Sequence, residues 1–415
     1  MLSQFFESTA RIHALRDGPA GALFDVFAQA LSHAGYAEIT ARRHLRAAEH
    51  FISWADRTGT RVRTLTEPSL ERFGRHLHRC RCPRYGHTDR LNVLHGARVF
   101  LSHLQETGVI GFAVVERPVH DPALLTAFCQ WMRQQRGTCG GTLANYGIHI
   151  REFLTRFGEE PGTFDARSLR QFVLEASQAR GWAAAKKCTT ALRMFLRFLI
   201  ADGRCAPGLD AAIPVLAHWR LASLPRYLHP DEVERLIASC NLASPVGRRD
   251  RAILLLLARL GLRAGDIVQL RLHDIDWRGA WIHVCGKGRH HTRLPLTHEV
   301  GQALVTYLEA DRPRTETEAV FVRCRAPLHA FRSHCAVSAI VDRALHRAGI
   351  TRPSRGAAHL LRHSVATAML RHGASLHDVA ALLRHRSIET TQIYAKVDVT
   401  ALRTIAQPWP EVQPC

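Results

Sequence analysis

His359-Leu-Leu-Arg362-His-Ser-Val-Ala-Thr-Ala-Met-Leu370 is the stretch on which the reading of the fold turns. Its apolar residues recur at three- and four-residue intervals, which predicts a helix over His359–His372. His359 and Arg362 stand three apart, so they share one face of that helix. A second stretch lies just downstream: Leu382-Leu-Arg-His385-Arg-Ser-Ile-Glu-Thr-Thr-Gln-Ile-Tyr394-Ala-Lys-Val397. It closes a helix predicted over Leu376–Leu383 and sets a histidine nine residues before a tyrosine. Tyr394 is the only tyrosine after Tyr307.

Working outward, Gly261-Leu-Arg263-Ala-Gly-Asp266 closes a helix predicted over Asp250–Leu262. Asp274–Pro295 alternates through Trp277, Trp281, Ile282 and Val284 and turns at Gly286-Lys287-Gly288, the pattern of a hairpin. Taken singly, each motif has a plain reading. An arginine after a helix is usually a solvated C-terminal charge. Gly-Lys-Gly is an ordinary charged turn, and a lone tyrosine is ordinary packing. With 26 histidines in the chain, His363, His372 and His377 read as surface or structural groups.

Together the motifs suit phosphoryl transfer from a nucleic-acid backbone to a side chain. A phosphodiester transition state carries extra charge on its non-bridging oxygens, which two arginine forks, Arg263 and Arg362, can hold. Tyr394 supplies a nucleophilic phenol. The leaving 5′-oxygen needs a proton, which lysine can give and arginine effectively cannot. Only four of the 56 basic residues are lysine: Lys186, Lys187, Lys287 and Lys396. One of those four falls at the hairpin tip, where a titratable cation is wanted. No carboxylate cluster of metal-ligand spacing accompanies the set, so neither metal nor other cofactor is expected there.

The first half reads as helices, over Leu31–Trp54 with Thr40 as N-cap, Glu67–Leu77 and Leu91–Thr107. The pattern then recurs. Phe27, Phe51, Phe73 and Phe100 are echoed by Phe128, Phe153, Phe172 and Phe195 within similar local sequence. This predicts two successive four-helix units, roughly 12–112 and 120–208, from an internal duplication. Glu116–Pro122, Ala206–Pro214 and Ser223–Pro225 read as linkers. The expected organisation is multi-domain and mainly α. An extra helical unit spans 1–115, a second helical unit 118–218, and a mixed α+β domain with a small β-hairpin sheet 225–415.

Composition sets the partner. The chain has 415 residues, 56 Lys+Arg against 36 Asp+Glu, and a formal charge of +20. Residues 1–224 hold 29 basic and 19 acidic side chains and residues 225–415 hold 27 and 17, so each half carries +10. The charge is not a detachable tail, and both halves are expected to face one polyanion, nucleic acid by default. At 46% hydrophobic, the chain has ample material for packed cores. No apolar run approaches the roughly 20 residues of a membrane span. The start lacks a signal-peptide pattern, and the 11 cysteines lack framework spacing. A cytoplasmic, nucleoid-associated protein is the expectation.

The stretches GLRAGDIVQLRLHDID, VCGKGRHHTRLPL, HLLRHSVATAML and LLRHRSIETTQIYAKV, in that order, resemble the tyrosine recombinase (phage integrase) family. The resemblance covers residues 120–400 and is strongest over 225–400. It implies that Arg263 and Arg362 bind the scissile phosphate and that Lys287 protonates the leaving 5′-oxygen. It implies that His359 is the acid/base partner of the tyrosine and that His385 hydrogen-bonds the phosphate. Tyr394 would form a 3′-phosphotyrosyl link, which conserves bond energy and needs neither ATP nor metal. Residues 118–218 would be the family's SAM-like core-binding domain. The partners implied are double-stranded DNA and a homo- or hetero-tetramer passing through a Holliday junction, with partner recombinases a further possibility. An integrase or transposase-like role for a bacterial mobile element fits this.

Two departures stand out. Where the family commonly has Leu-Gly-His, this chain has Leu383-Arg384-His385, and Asp266 stands where glutamate is common. Arg384 either adds a phosphate contact or crowds the site. Rival readings are a type IB topoisomerase- or resolvase-like activity, and a non-catalytic DNA-binding regulator that retains the fold. The complete set of Arg263, Lys287, His359, Arg362, His385 and Tyr394 argues against the regulator. His76, His78, Cys80, Cys82 and His87 cluster in RHLHRCRCPRYGH. Cys-x-Cys is not zinc-finger spacing, so a basic DNA-facing loop is the favoured reading there over a zinc site.

Overall fold

The computed structural model describes residues 2–82, 85, 89–111, 121–216, 224–286, 291–351, 356–397 and 402–403. Residues 1–109 and 221–415 group into one compact unit and residues 110–220 into another. Among the described residues no helix is long and apolar enough to cross a membrane.

The first unit begins with α1 (Thr9–Arg16), α2 (Gly21–His33) and α3 (Glu38–Arg57). The helix expected over Leu31–Trp54 is thus two helices, and Ala37 rather than Thr40 caps the second. The break is a glycine cap: Gly35 sits at φ +75, and the Tyr36 amide reaches back to the Leu31 carbonyl at 3.1 Å. Glycine is also required by space. A Cβ there would stand 2.2 Å from Leu328 Cδ1, and the Leu328 amide donates to the Ala34 carbonyl at 2.9 Å. A 3₁₀ turn, Val62–Thr64, precedes α4 (Glu67–Leu77), and α5 (Arg90–Glu106) follows. Phe27, Phe51, Phe73 and Phe100 are all buried in this helical core.

In the second unit the same order of elements recurs: α6 (Ala123–Arg136), α7 (Gly140–Phe157), a 3₁₀ turn at Pro161–Thr163, α8 (Ala166–Arg180) and α9 (Trp182–Ala201). Phe128, Phe153, Phe172 and Phe195 are buried at the equivalent landmarks. Each 3₁₀ turn is followed by a buried apolar residue, Leu65 or Phe164, and then by a helix start.

The remainder of the first unit is built round one helix. After α10 (Pro230–Ala238), α11 (Pro245–Leu260) opens on the Ser244 side chain, which accepts from the Gly247 amide at 3.1 Å. It starts five residues before the expected Asp250. Ala252 to Leu257 are buried without interruption, so α11 is covered on every side and forms the centre of the core. Each leucine so buried stabilises the domain by about 1.5–3 kcal/mol. Then come α12 (Ala264–Gln269), β1 (Ile275–Asp276), β2 (Trp281–Cys285) and β3 (His291–Pro295). The expected hairpin is present as β2 and β3, paired antiparallel from Trp281↔Pro295 to Cys285↔His291, and β1 adds a third strand beside β2. The turn that would carry Lys287 lies outside the described residues.

The chain continues through α13 (His298–Ala310), α14 (His334–Arg347), α15 (Ala357–Arg371) and α16 (Leu376–Leu383), with 3₁₀ turns at Ile388–Thr390 and Gln392–Val397. A second small core joins the last of these elements, made of Ala366, Leu370, Val379, Leu383, Tyr394 and Val397. The nucleophile expected from the sequence is therefore part of a packed cluster.

Candidate active site

Two helix ends make the floor of the site. Helices α11 and α16 both stop on a residue in the left-handed conformation, Gly261 at φ +58 and Arg384 at φ +53. The last carbonyls of a helix have no partner within it and carry its negative end. Here arginines take them. The Arg362 guanidinium donates to the carbonyls of both Gly261 and Leu383. Arg263 Nη2 lies 3.5 Å from the Leu383 carbonyl and 3.4 Å from that of Arg384. Gly261 is fixed by conformation and by space, since a Cβ would sit 2.7 Å from Leu383 Cδ2 and 3.2 Å from Val365 Cγ1.

Arg384 joins them as a third guanidinium. Its Nη2 donates to Asp266 Oδ2 at 2.7 Å, and the two side chains are only 6% and 7% exposed. The same carboxylate oxygen accepts from the Arg263 amide at 2.8 Å and so caps α12. One carboxylate thus faces three buried or half-buried cations. Arg384 Nε and Nη1 are buried and make no hydrogen bond among the described residues. Burial and the charges of Arg263 and Arg384 press the Arg362 guanidinium well below its usual pKa. Arg263 is lowered too, by burial and then by Arg384, against the opposing pull of Asp266. Positive charge held this close at a net excess is the signature of a site built for an anion.

Histidines ring the arginines. His385 Nδ1 lies 2.8 Å from Thr391 Oγ1, and burial and the positive charges of Arg362 and Arg263 push its pKa down to about 4. His359 stands at the exposed rim; partial desolvation, then Arg362 and Arg263, lower its pKa. Tyr394 is 2% exposed, and burial raises its phenol to about 12. Its hydroxyl lies 2.8 Å from His363 Nδ1. His363, pushed down to about 4 by burial and by its neighbours His359 and Arg362, is neutral, so its ring nitrogen can accept a hydrogen bond from the phenol.

Of the six residues expected from the sequence, Arg263, His359, Arg362, His385 and Tyr394 are drawn into one site, and Lys287 lies outside the described residues. One residue gains a place that sequence reasoning did not give it: His363, read as structural, is the tyrosine's hydrogen-bond partner. Arg384, expected either to contact phosphate or to crowd the site, is paired with Asp266 inside it. The sequence signal for Arg384 was the arginine standing in a Leu-Gly-His pattern. For His363 it was only its adjacency to Arg362.

Arginines and histidines gathered in one helical domain with a buried tyrosine are the arrangement that the sequence resemblance implies for DNA strand cutting and rejoining. Residues 226–400 match the phage integrase family. A protein of Sinorhizobium fredii named as an integrase/recombinase, y4rA, is 37% identical over 95% of this chain and 95% of its own length. The tyrosine recombinase XerD of Listeria monocytogenes is 28% identical over 68% of this chain and 96% of its own. Among solved structures, the XerH site-specific recombinase bound to a palindromic difH substrate is similar in fold, with a TM-score of 0.54 at 19% identity over 81% of this chain and 94% of that one. The chain belongs to the phage integrase family of tyrosine recombinases.

Proposed function

We propose that this protein is a site-specific recombinase of a mobile element that cuts and rejoins duplex DNA through a 3′-phosphotyrosyl intermediate at Tyr394. The observation that carries the proposal is the convergence of Arg263 and Arg362 on one helix-end carbonyl beside Tyr394, with Arg384 adding a third cation. In the proposed step the Tyr394 oxygen forms a bond to phosphorus and the bond from phosphorus to the 5′-oxygen breaks. The phenol gives up its proton, with His359 as acid/base partner, and the 5′-oxygen takes one from Lys287. Arg263, Arg362 and His385 hold the non-bridging oxygens throughout. Reversal by a 5′-hydroxyl from a second duplex rejoins the strands, so the bond energy is kept without ATP. The arginines supply the charge stabilisation for which other phosphoryl-transfer enzymes use metal ions.

With a buried phenol near pKa 12, the free chain holds its nucleophile protonated. In this reading, duplex binding draws Tyr394 out of its packed cluster and away from His363. The palindromic substrate of XerH is consistent with two-fold pairing of subunits on DNA, and the lambda integrase tetramer on a Holliday junction with a tetramer at synapsis. We propose residues 118–218 as the core-binding domain and 1–115 as its duplicate, supported by the repeated element order and the matched buried phenylalanines.

The test is covalent trapping on nicked duplexes drawn from a randomised library and from the sequences flanking the gene. A nick beside the cleavage point lets the short 5′-hydroxyl fragment diffuse away and strands the protein on DNA. Wild type is expected to give a covalent species and Tyr394→Phe none. The absence of any covalent species from wild type across the library, with DNA binding intact, would favour the non-catalytic regulator instead.

A further inference from the structure

The segment Arg75–Cys82 holds a set of donors that the recombinase chemistry does not use. Cys80 Sγ lies 3.4 Å from His50 Nε2, and Cys82 Sγ lies 3.5 Å from His76 Nε2. One ligand atom from each of His50, His76, Cys80 and Cys82 falls within 4.8 Å of every other. The four come from three places in the fold. His50 is in the middle of α3, His76 is in the last turn of α4, and the cysteines follow α4 in the loop leading to α5.

These distances carry information. A tetrahedral zinc with bonds of about 2.3 Å to sulfur and 2.0–2.1 Å to nitrogen places each sulfur about 3.5 Å from each nitrogen. Both cysteine–histidine pairs already stand at that separation. The imidazoles are also aimed. His50 is 4% exposed, its ring stacked on Tyr85 with centroids 4.1 Å apart and set edge-on to Phe73 at 5.1 Å. Arg57 Nη2 donates to Cys82 Sγ at 2.8 Å, the kind of outer contact that orients a sulfur ligand.

We propose that His50, His76, Cys80 and Cys82 form a structural Cys₂His₂ site for a zinc-class divalent cation. Two thiolates neutralise the ion's charge, and four protein ligands leave no open position for chemistry. The metal would clasp the loop after α4 to the middle of α3. Sequence spacing hides the site because its first ligand lies far upstream on another helix, where only the tertiary fold reveals it. His78, part of the cluster in the sequence, is not a member: its Nδ1 lies 3.1 Å from Arg90 Nη1. His87 lies outside the described residues. A metal clasp and a basic DNA-facing loop are compatible, because Arg75, Arg79 and Arg81 are exposed while His50 is buried and the other three ligand residues are half-buried.

The experiment uses the untagged full-length protein, expressed with added zinc and purified under reducing conditions without chelator. Elemental analysis is expected to find one zinc per chain, and Cys80→Ser/Cys82→Ser is expected to lose it. Exchange into Co²⁺ is expected to give the strong visible bands of a tetrahedral site and a near-ultraviolet thiolate-to-cobalt band. Wild type binding no more metal than the double variant would overturn the proposal. So would a weak octahedral cobalt spectrum, or a Cys80–Cys82 disulfide found by thiol counting. If the double variant does not fold, the wild-type cobalt spectrum decides alone.

Discussion

Asp266 is the residue on which the charge balance of the site rests. Its carboxylate pairs with a buried Arg384 and caps Arg263 through the backbone. Removing one partner of a buried ion pair leaves the other uncompensated, which typically costs about 3–5 kcal/mol. Asp266→Ala is therefore expected to lower the unfolding free energy obtained from urea titration by an amount in that range, and Asp266→Glu to retain most of the stability. An alanine variant as stable as wild type would mean that Arg384 finds another partner. The histidines set a pH response. His363 and His385 are held near 4, by burial first and then by the charges facing them: His359 and Arg362 for the one, Arg362, Arg263, His363 and Arg384 for the other. An unfolded histidine titrates near 6.5, so between about pH 6.5 and 4 the unfolded chain binds more protons than the folded one. Their contribution to stability is full above about 6.5 and is lost as the pH falls towards 4. Chemical unfolding at a series of pH values should show that decline, and His385→Asn should flatten it. An unchanged slope in the variant would remove His385 from the account.

At the scale of elements, the site is the meeting of two helix ends. Helix α11 stops at Gly261 and α16 at Arg384, and the carbonyls released there position Arg263 and Arg362. An alanine in the left-handed conformation costs about 1–2 kcal/mol before any clash is counted. Gly261→Ala also drives a methyl group into Leu383 and Val365. We expect it to destabilise the protein by more than that conformational cost and to slow covalent trapping well beyond the loss of folded protein. Trapping at the wild-type rate by the folded fraction would show that the position of Leu383 does not matter to the arginines. Arg384 accepts the same backbone conformation that a glycine would take without strain. Its pair with Asp266 is the offset visible in the structure.

At the scale of the whole molecule, a charge of +20 is spread over both halves of the chain, which predicts that both contact a polyanion. Each phosphate contact releases condensed counterions, so affinity falls with salt at a log–log slope of about −0.9 per contact. Fluorescence anisotropy on duplex DNA is expected to show a loss of roughly a thousand-fold or more between about 50 and 200 mM salt if six to ten phosphates are held. A nearly flat response would contradict a clamp. The N-terminal helices are not an independent appendage. Residues 1–109 group with 221–415, and the turn at Gly35 receives Leu328 directly. Nothing in the local sequence of either segment announces that contact.

What the sequence determined by itself is local. Helical periodicity located α4 and α16 to the residue, and alternation located the β2–β3 pair, because these patterns depend on near neighbours in the chain. The order Arg263, Lys287, His359, Arg362, His385, Tyr394 could be read because each residue sits in a recognisable short motif. Where a helix breaks was less legible: Leu31–Trp54 looks continuous until the glycine cap at Gly35 is seen to be locked by Leu328. Only the tertiary structure decided what lies against what. It set Tyr394 into a packed cluster on His363, and it placed Arg384 against Asp266. It also carried His50 from one helix to the two cysteines beyond another. Those outcomes depend on packing between segments far apart in the chain, and no window of sequence contains both partners.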